Sequence, residues 1–398
     1  MSTAAPQSPS ICFVGLTTLP LLAPELGCAV AGGSELQQAL LAPALARRGL
    51  EVSMVVSDYG QPDGARWHGV KTFKAYRPEA GIPALRFAHP RWTGLWSAMR
   101  RADADIYYLN CQGMQVGEAA LFAKRHRRRL VYWVASDSDC DPRALLIRYA
   151  RDRKLFTYGL RRADLVLAQT QAQQAALERN FGRESLLVDS LVEPGGAPLA
   201  PTERDVDVLW VGNIRALKRP LLLLEIAREL PRVRFEMVGG PAKGAEALYD
   251  EVARRAAALP NVRFHGFLPY ERTAALYAGA RVLASTSAIE GLPNAYLQSF
   301  MSGTPVVGFL DPEQMITRHG LGRAVSTPAE MSAAIVALLS RDTDWSAASR
   351  ACIRYMSARY GEAHVVTPYV EAFMKLCAAP GNGPRKLSHA TSLARGLP

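Results

Sequence analysis

The chain has 398 residues, of which 49% are hydrophobic, and this length and composition suffice for two large domains with their own cores. Its formal net charge is +11. Its six cysteines are scattered without a Cys-x-x-Cys pair, which argues against a zinc site or a disulfide scaffold and favours a reducing cytoplasm. The first ten residues lack the basic region of a signal peptide and no apolar run is long enough to span a membrane, so we expect a cytoplasmic protein that is soluble or peripheral.

The first half of the sequence has the pattern of a parallel α/β domain. A first strand is predicted at 11–16, followed by a glycine loop, a helix at 34–48 and a strand at 52–56. This order is typical of a right-handed βαβ unit. Further short buried strands are predicted at 105–109, 130–134 and 165–168. We therefore expect a doubly wound parallel sheet in a first domain of residues 1–200.

The pattern restarts in the second half of the sequence. Prolines and glycines at 194–198 predict an interdomain linker, and a second domain is expected over 201–360. Its predicted strands lie at 206–211, 234–238, 262–264, 282–285 and 305–309, with helices at 220–230, 245–258 and 272–279. Two such halves joined by a linker predict a deep cleft for ligands. A last helix is predicted at 361–378, and residues 379–398 are expected to be a mobile tail.

The most informative segment is residues 290–307. Glu290 leads through a glycine and a leucine into Pro293, which suits the first turn of a helix, and Gly303 stands where a helix ends in a left-handed cap. Pro305 prevents the helix from continuing, and the apolar run after it predicts a buried strand. The segment therefore predicts a loop that opens a short helix. Its free N–H groups and positive dipole end form a binding site for an anion such as a diphosphate.

The residues of this segment also carry a family resemblance. Glu290 can accept hydrogen bonds from hydroxyl groups, so the segment suits a diphosphate beside a sugar, as in a nucleotide sugar. It resembles the signature of retaining GT-B glycosyltransferases, in particular glycosyltransferase family 4, which has two glutamates separated by seven residues and then a Pro-Val-Val strand. An ordinary loop–helix–strand unit is the alternative interpretation.

The resemblance implies a role for each position of the segment. Glu290 is expected to contact the donor sugar. The helix start is expected to bind the donor through the backbone and side chains of Gly291, Leu292, Pro293, Asn294 and Ala295. Gln298 stands in place of the second glutamate, which grips the ribose of the nucleotide. Glutamine keeps an acceptor oxygen but lacks the charge, so we expect weaker ribose binding.

The resemblance extends over nearly all of the chain to residue 378 and implies the GT-B fold. That fold has two Rossmann-like parallel-sheet domains facing a deep cleft, with a C-terminal helix that crosses back to the first domain. The first domain is then the acceptor side, and the second binds the nucleotide sugar.

A second candidate segment, residues 210–220, joins a strand end, Gly212 and a helix start. Lys218 and Arg215 can reach a diphosphate held over the cleft. In the resembled family an arginine follows this glycine and a lysine lies several residues on. Lys218 matches the lysine, whereas Asn213 stands in place of the arginine, and Arg215 is the candidate substitute. A solvated loop is the alternative.

Two further segments resemble donor-binding elements of the family. One resembles the segment whose backbone reads the nucleotide base and contains His265, Gly266, Phe267 and Leu268. For His265 a packed strand-end histidine is the competing interpretation. The other is the pair Gly32 and Gly33 after the first strand. Because glycine has no side chain, the backbone there can approach the donor phosphate or the acceptor closely.

Residues 134–141 end a predicted strand where many members of the family carry a histidine that touches the donor sugar. No histidine occurs here, and Ser136, Asp137 and Asp139 are predicted to face the cleft and bind acceptor or sugar hydroxyls. Helix capping by Asp137 or Ser138 is the alternative. An Asp-x-Asp pair also suggests the metal motif of the GT-A fold, but the two-domain organisation argues against that fold.

Residues 124–162 contain twelve Lys and Arg against four Asp, interleaved with leucine and aromatic residues. This basic amphipathic segment suits an anionic membrane surface, and a solvated helical face is an equal alternative. Nucleic acid is not expected, because no nucleic-acid-binding motif accompanies the charge.

The resemblance implies a retaining transferase that uses an α-linked UDP- or GDP-sugar. Lys218, Arg215 and helix N–H groups would hold the leaving diphosphate, Glu290 would serve the sugar, and neither a metal nor another cofactor is expected. The acceptor is expected to be a glycan, lipid-linked, in cell-surface polysaccharide or glycoconjugate synthesis. A non-catalytic sugar-nucleotide or carbohydrate-binding protein is the main alternative, and an epimerase of the same fold is a second.

Overall fold

The computed structural model describes residues 8–26, 32–83, 85–193 and 199–378. Within these residues the chain forms two α/β domains, each built on one sheet. The predicted fold class is therefore confirmed. The predicted linker at 194–198 and the predicted tail at 379–398 lie outside the described residues.

The first domain is built on an eight-stranded sheet. Its strands are β1 (Ser10–Val14), β2 (Glu51–Val56), β3 (Arg66–Trp67), β4 (Val70–Lys74), β5 (Ile106–Leu109), β6 (Arg129–Trp133), β7 (Leu165–Ala168) and β8 (Leu186–Leu187). Its helices are α1 (Leu19–Leu22), α2 (Gly33–Arg47), α3 (Thr93–Ala102), α4 (Met114–His126), α5 (Ala150–Arg162) and α6 (Gln171–Phe181). The strand order is β3-β4-β2-β1-β5-β6-β7-β8, and only the β3–β4 pair is antiparallel. Because the order proceeds from β1 in both directions, a crevice opens between the carboxyl ends of β1 and β5.

The second domain is built on a six-stranded parallel sheet. Its strands are β9 (Val206–Val211), β10 (Phe235–Val238), β11 (Val262–Gly266), β12 (Ala280–Ser285), β13 (Val306–Gly308) and β14 (Gly322–Ala324). Its helices are α7 (Pro220–Glu229), α8 (Glu246–Ala257), α9 (Tyr270–Gly279), α10 (Asn294–Met301), α11 (Met315–His319), α12 (Pro328–Ser340) and α13 (Asp342–Arg359). The order β11-β10-β9-β12-β13-β14 again proceeds both ways from its first strand. The carboxyl ends of β9 and β12 therefore form a second crevice.

The predicted strands and helices of both halves are present, with ends shifted by one or two residues at most positions. The sequence analysis missed the strands β3, β4, β8 and β14, and its missed helices include α3, α12 and α13. The reason is visible in β4, where Lys71 and Lys74 interrupt the apolar pattern although Val70 and Phe73 are buried. The helix α13 was missed for the same reason, because its many polar residues interrupt the apolar pattern.

The final helix, α14 (Glu362–Ala378), packs on the first domain as predicted. It buries Val365, Val366, Tyr369 and Phe373. The Phe373 ring stands edge-on to Tyr108 of β5, with centroids 6.4 Å apart, and the Tyr369 hydroxyl donates to the Asp189 carbonyl at 3.0 Å. The helix therefore ties the second half of the chain to the first. No helix in the described ranges is both long enough and apolar enough to cross a membrane.

One carboxyl group in the first domain is buried with little compensation, since only the Trp96 backbone opposes the effect of burial on its pKa. Glu118 of α4 is fully buried, and its carboxyl oxygens have no hydrogen-bond partner among the described residues. Burial raises the pKa of Glu118 to about 9. The folded protein therefore holds this group protonated at neutral pH, whereas the unfolded chain ionises it near its ordinary value. The contribution of Glu118 to the free energy of unfolding is fully present below the ordinary pKa of a glutamate. It is lost progressively as the pH rises from there towards about 9.

Glu118→Gln should therefore raise stability near neutral pH, since the amide cannot ionise in the unfolded chain. We expect an increase of about 3 kcal/mol in the free energy of unfolding near pH 7, and little change near pH 4. Urea unfolding of variant and wild type across this range measures the difference. Glu371→Gln, on the exposed side of α14, is the matched control. An equal difference at both ends of the range would contradict the burial argument.

Candidate functional site

Residues 290–307 fold as the sequence predicts. The helix α10 begins at Asn294 directly after Pro293 and ends at Met301. Gly303 has a φ of +67°, which a left-handed cap requires, and β13 follows. No side chain caps the start of α10, so its first N–H groups and the positive end of its dipole face the space outside.

That space is a cleft of about 800 Å³ between the two domains. Its walls come from the carboxyl ends of strands in both sheets and from the helices that follow them. Most of the predicted site residues line it, namely Gly32, Gly33, Ser136, Asp139, Gly212, Asn213, Arg215, Lys218, Phe267, Leu268, Glu290, Leu292, Pro293, Asn294, Ala295 and Gln298. Four others, Asp137, His265, Gly266 and Gly291, do not line it.

An ion pair joins the two principal charged residues of the cleft. The Lys218 ammonium contacts the Glu290 carboxylate, and both side chains are less than one-fifth exposed. Thr286 holds the Lys218 turn against the sheet, because its hydroxyl donates to the Lys218 carbonyl at 2.6 Å and accepts from the Trp210 indole at 2.9 Å. The Lys218 backbone is thus anchored to the sheet, and Lys218 lines the same cleft as Asn294, the first residue of α10. Arg215 lines the same wall.

A cluster of hydrogen bonds across the domains involves a residue that sequence analysis did not single out. Asn294 donates from Nδ2 to the Gly33 carbonyl at 2.8 Å and accepts from Gln37 Nε2 at 2.8 Å. Gln37 is also hydrogen-bonded to both backbone groups of Leu191, each at 2.8 Å. A Cβ atom at Gly33 would lie 2.4 Å from Asn294 Nδ2, so a larger residue there would displace the Asn294 amide from this hydrogen bond. Gln37 lies at helical spacing from the buried residues Leu41 and Leu45, and the sequence analysis did not use this signal.

The loop after β6 differs from the prediction. Ser136, and not Asp137 or Ser138, caps the following turn by accepting from the Ser138 N–H at 3.4 Å. Asp137 accepts a hydrogen bond from Gln173 at 2.9 Å and does not line the cleft, and burial raises its pKa. Asp137 stands between Ser136 and Ser138, which do line the cleft, and its assignment to acceptor or sugar hydroxyls stays a prediction.

Asp139 lies in the cleft wall but is only 1% exposed. Its carboxylate accepts hydrogen bonds from Gln112 at 2.6 Å, from the Tyr132 hydroxyl at 2.9 Å and from the Ala135 N–H at 2.9 Å. Burial raises its pKa to about 6 although these donors oppose the shift. The expectation that Asp139 presents a carboxylate to the cleft is therefore corrected, because its oxygens hold the loop together.

The segment at the end of β11 does not place a titratable side chain in the cleft. His265 pairs with Glu236 of the neighbouring strand and does not line the cleft, in agreement with the interpretation of a packed histidine. Gly266 has a φ of +66° and turns the chain so that Phe267 and Leu268 reach the cleft. In this segment the residues that line the cleft are therefore the ones after the turn.

Gly291 permits a close contact between the domains. A Cβ atom there would lie 2.8 Å from Gln173 Nε2 and 3.2 Å from the Ala135 carbonyl, both in the first domain. The glycine of the signature thus serves domain contact in this structure. Among the described residues no group of three or more His, Cys, Asp or Glu side chains is placed to hold a metal ion.

Two family models match the chain. The model described as "Glycosyl transferase 4-like domain" matches residues 32–188, and the model described as "Glycosyl transferases group 1" matches residues 205–341. The two matches fall on the two domains, and together they cover well over half of the chain.

Curated relatives match part of the sequence. A D-inositol 3-phosphate glycosyltransferase from Corynebacterium urealyticum is 27% identical over 260 residues, which cover 58% of this chain and 61% of the relative. A protein of the same name from Mycolicibacterium paratuberculosis is 35% identical over 109 residues, covering 27% of this chain and 24% of the relative. The chain thus matches less than two thirds of the length of these relatives.

Solved structures share the fold over most of the chain. Anabaena HepE, in complex with UDP and glucose, aligns with a TM-score of 0.69 at 17% identity and covers 92% of this chain and 100% of that chain. Sucrose-phosphate synthase from Thermosynechococcus elongatus aligns with a TM-score of 0.72 at 18% identity, covering 92% and 99%. With both domains matched by glycosyltransferase models and arranged in this fold, the chain belongs to the GT-B glycosyltransferases and is a family 4-like member.

Proposed function

We propose that this protein is a retaining glycosyltransferase that moves a sugar from a UDP- or GDP-sugar to a hydroxyl group of a glycan acceptor. The observation that carries the proposal is the convergence of Lys218, Arg215 and the uncapped start of α10 on one cleft. Cations and free N–H groups that line one cleft favour a diphosphate. The UDP and UDP-glucose complexes of Anabaena HepE support a nucleotide sugar as the donor.

The cleft suggests a place for each part of the donor. The diphosphate lies against the start of α10 with Lys218 and Arg215, and the sugar extends towards Glu290. The ribose lies near Gln298, whose amide can both donate to and accept from hydroxyls. The base lies by Phe267 and Leu268, where backbone groups can read its edge. The cleft volume of about 800 Å³ falls within the range of ligand sites of this kind.

Catalysis in this proposal is electrostatic. The acceptor hydroxyl attacks the anomeric carbon on the face from which the diphosphate leaves, and the departing diphosphate takes the hydroxyl proton. Lys218, Arg215 and the helix N–H groups stabilise the negative charge as it grows on the leaving group. The diphosphate would draw the Lys218 ammonium away from Glu290, which frees the Glu290 carboxylate to accept from sugar hydroxyls. In this proposal protein cations perform the work of a metal.

A non-catalytic binding protein of the same fold is the second candidate. Three departures from the family pattern favour it, namely Gln298, Asn213 and the absent histidine after β6. The epimerase alternative is weakened, because Asp137 and Asp139 are engaged in hydrogen bonds within the protein. Turnover of any UDP- or GDP-sugar to nucleoside diphosphate separates a transferase from a binding protein.

Lys218→Ala is the direct test of the proposed diphosphate site. Loss of a preorganised cation at a leaving group should lower kcat by about 10²-fold or more. The measurement is nucleoside diphosphate release from a panel of UDP- and GDP-sugars by wild type and variant. Lys375→Ala, on the exposed side of α14, is the control. Equal rates for wild type and Lys218→Ala would place the diphosphate elsewhere, and no turnover by wild type on any donor would favour the binding protein.

Glu290→Gln separates the sugar from the nucleotide. We expect kcat to fall while the Kd of the bare nucleoside diphosphate stays the same or decreases, because the variant removes a sugar contact and releases Lys218 from its ion pair. Steady-state kinetics and calorimetric titration with UDP or GDP measure the two effects. Weaker binding of the bare nucleotide, by the same factor as the loss of kcat, would contradict the assignment of Glu290 to the sugar.

We further propose that the acceptor is lipid-linked and that the protein works at the cytoplasmic face of a membrane, in polysaccharide or glycoconjugate synthesis. The predicted basic segment is only partly a surface, since Arg128 is buried and paired with Asp103 and Asp105. The outer side of α5 supports the proposal better, because it exposes Arg151, Lys154, Arg161 and Arg162. Nearby, Leu146 and Tyr149 are each 56% exposed and can enter the lipid interface.

Charge reversal on α5 tests the membrane proposal. Each basic residue near an anionic leaflet is worth roughly 1 kcal/mol, so the double variant Lys154→Glu with Arg161→Glu should lose most vesicle binding. Co-sedimentation with anionic vesicles at low and high salt measures it. Arg228→Glu with Arg254→Glu, exposed in the second domain, is the matched control. Wild type that stays in solution at low salt, yet transfers sugar to a soluble acceptor, would refute membrane binding and leave the transferase proposal standing.

A further inference from the structure

A second pocket, of about 270 Å³, opens beside the cleft in the first domain. It lies at the carboxyl ends of the central strands of the first sheet, between residues 14–18 after β1, Ser57 after β2, Tyr76 after β4 and Cys111 after β5. This is the switch point of the strand order, where open parallel sheets bind ligands. No motif in the sequence indicated it.

The pocket is continuous with the donor cleft. Glu35, Cys111 and Lys243 line both spaces. A molecule in the small pocket would therefore meet a sugar held in the cleft, which is the position that an acceptor must occupy. Its volume is below the usual range for drug-sized ligands and suits one small group of an acceptor.

The charge of the pocket indicates which group it takes. Arg91, in the turn before α3, and Lys243, in the loop after β10, both line it, and neither forms an ion pair among the described residues. The carboxylate that shares the pocket, Glu35, is already engaged, because it accepts from the Thr17 hydroxyl at 2.9 Å, the Ser34 hydroxyl at 2.7 Å and the Gly32 N–H at 3.1 Å. Glu246 lies near enough to Lys243 to interact with it electrostatically, but the Glu246 carboxylate accepts from the Gly244 N–H at 3.0 Å and forms no ion pair with Lys243. Both cations can therefore bind an anion.

We propose that this pocket binds the acceptor and that the acceptor carries a phosphate group, held between Arg91 of the first domain and Lys243 of the second. This inference rests on the proposed transferase function. The phosphate is a binding group and does not react: the new bond joins an acceptor hydroxyl oxygen to the anomeric carbon, the bond to the donor diphosphate breaks, and the hydroxyl proton leaves with that diphosphate. Because the two cations come from different domains, the same contact favours a closed cleft.

The test is phosphate binding to the protein saturated with UDP or GDP, so that the donor site is already occupied. Isothermal titration with inorganic phosphate should show binding to wild type, weakened about tenfold or more in Arg91→Ala and in Lys243→Ala, as expected for a lost charge-assisted contact. Arg91→Lys should retain most of the affinity. Arg86→Ala, exposed in the same segment as Arg91, and Arg254→Ala, exposed on α8, are the matched controls.

The outcomes separate this inference from the proposed function. Absence of nucleotide binding would defeat the transferase proposal itself. Normal nucleotide binding with no phosphate binding, or with phosphate binding equal in all variants, would overturn only the acceptor inference.

Competition then identifies the source of the phosphate. Displacement of inorganic phosphate by a hexose phosphate in solution supports a soluble acceptor. Displacement by vesicles that carry a polyprenyl diphosphate sugar, and not by vesicles of the same lipids without it, supports a lipid-linked one. If neither displaces bound phosphate, the assignment of the pocket to an acceptor is overturned.

Discussion

The arrangement of the site depends on the hydrogen bonds of Asn294, the first residue of α10. Its amide joins the Gly33 carbonyl of the first domain, and Gln37 of the same domain holds its oxygen. Because each of these bonds has a distance of 2.8 Å, the start of α10 and the glycine loop are fixed opposite each other. Without this contact the helix dipole would still exist, but it would not face a cleft closed by the other domain.

Within that frame the ion pair of Lys218 and Glu290 sets the resting state of the cleft. Two opposite charges that are largely shielded from water stabilise each other. Removal of one destabilises the protein, because the other is left shielded from water without a partner. A diphosphate carries more negative charge than one carboxylate and also meets the N–H groups of α10, so it can compete for the ammonium. The pair thus keeps a cation in place before the donor arrives, which is what electrostatic preorganisation requires.

The sequence predicts those parts of the site that depend on local backbone chemistry. Gly303 predicts the left-handed cap that ends α10, and residues 290–307 predict the helix itself. Both predictions succeed because caps and turns depend on residues that are close in the sequence. Contacts between distant segments leave no such trace. Gln37 meets Asn294 across 257 positions, and Asp139 is drawn into its loop by Tyr132 and Gln112, so its buried position could not be predicted from the pattern around it. The burial of Glu118 could not be predicted for the same reason.

The acidic residues of the cleft show why its cations are available to substrates. Among the described residues, the carboxylates that line it are Glu35, Asp139, Glu246 and Glu290. Glu290 is paired with Lys218, and the other three accept hydrogen bonds from nearby hydroxyl, amide or backbone N–H groups. Replacement of the family's second glutamate by Gln298 removes one more negative charge beside the proposed diphosphate. A cleft organised in this way attracts anions from both sides, and repulsion between a phosphorylated acceptor and the donor diphosphate is offset by cations on each domain.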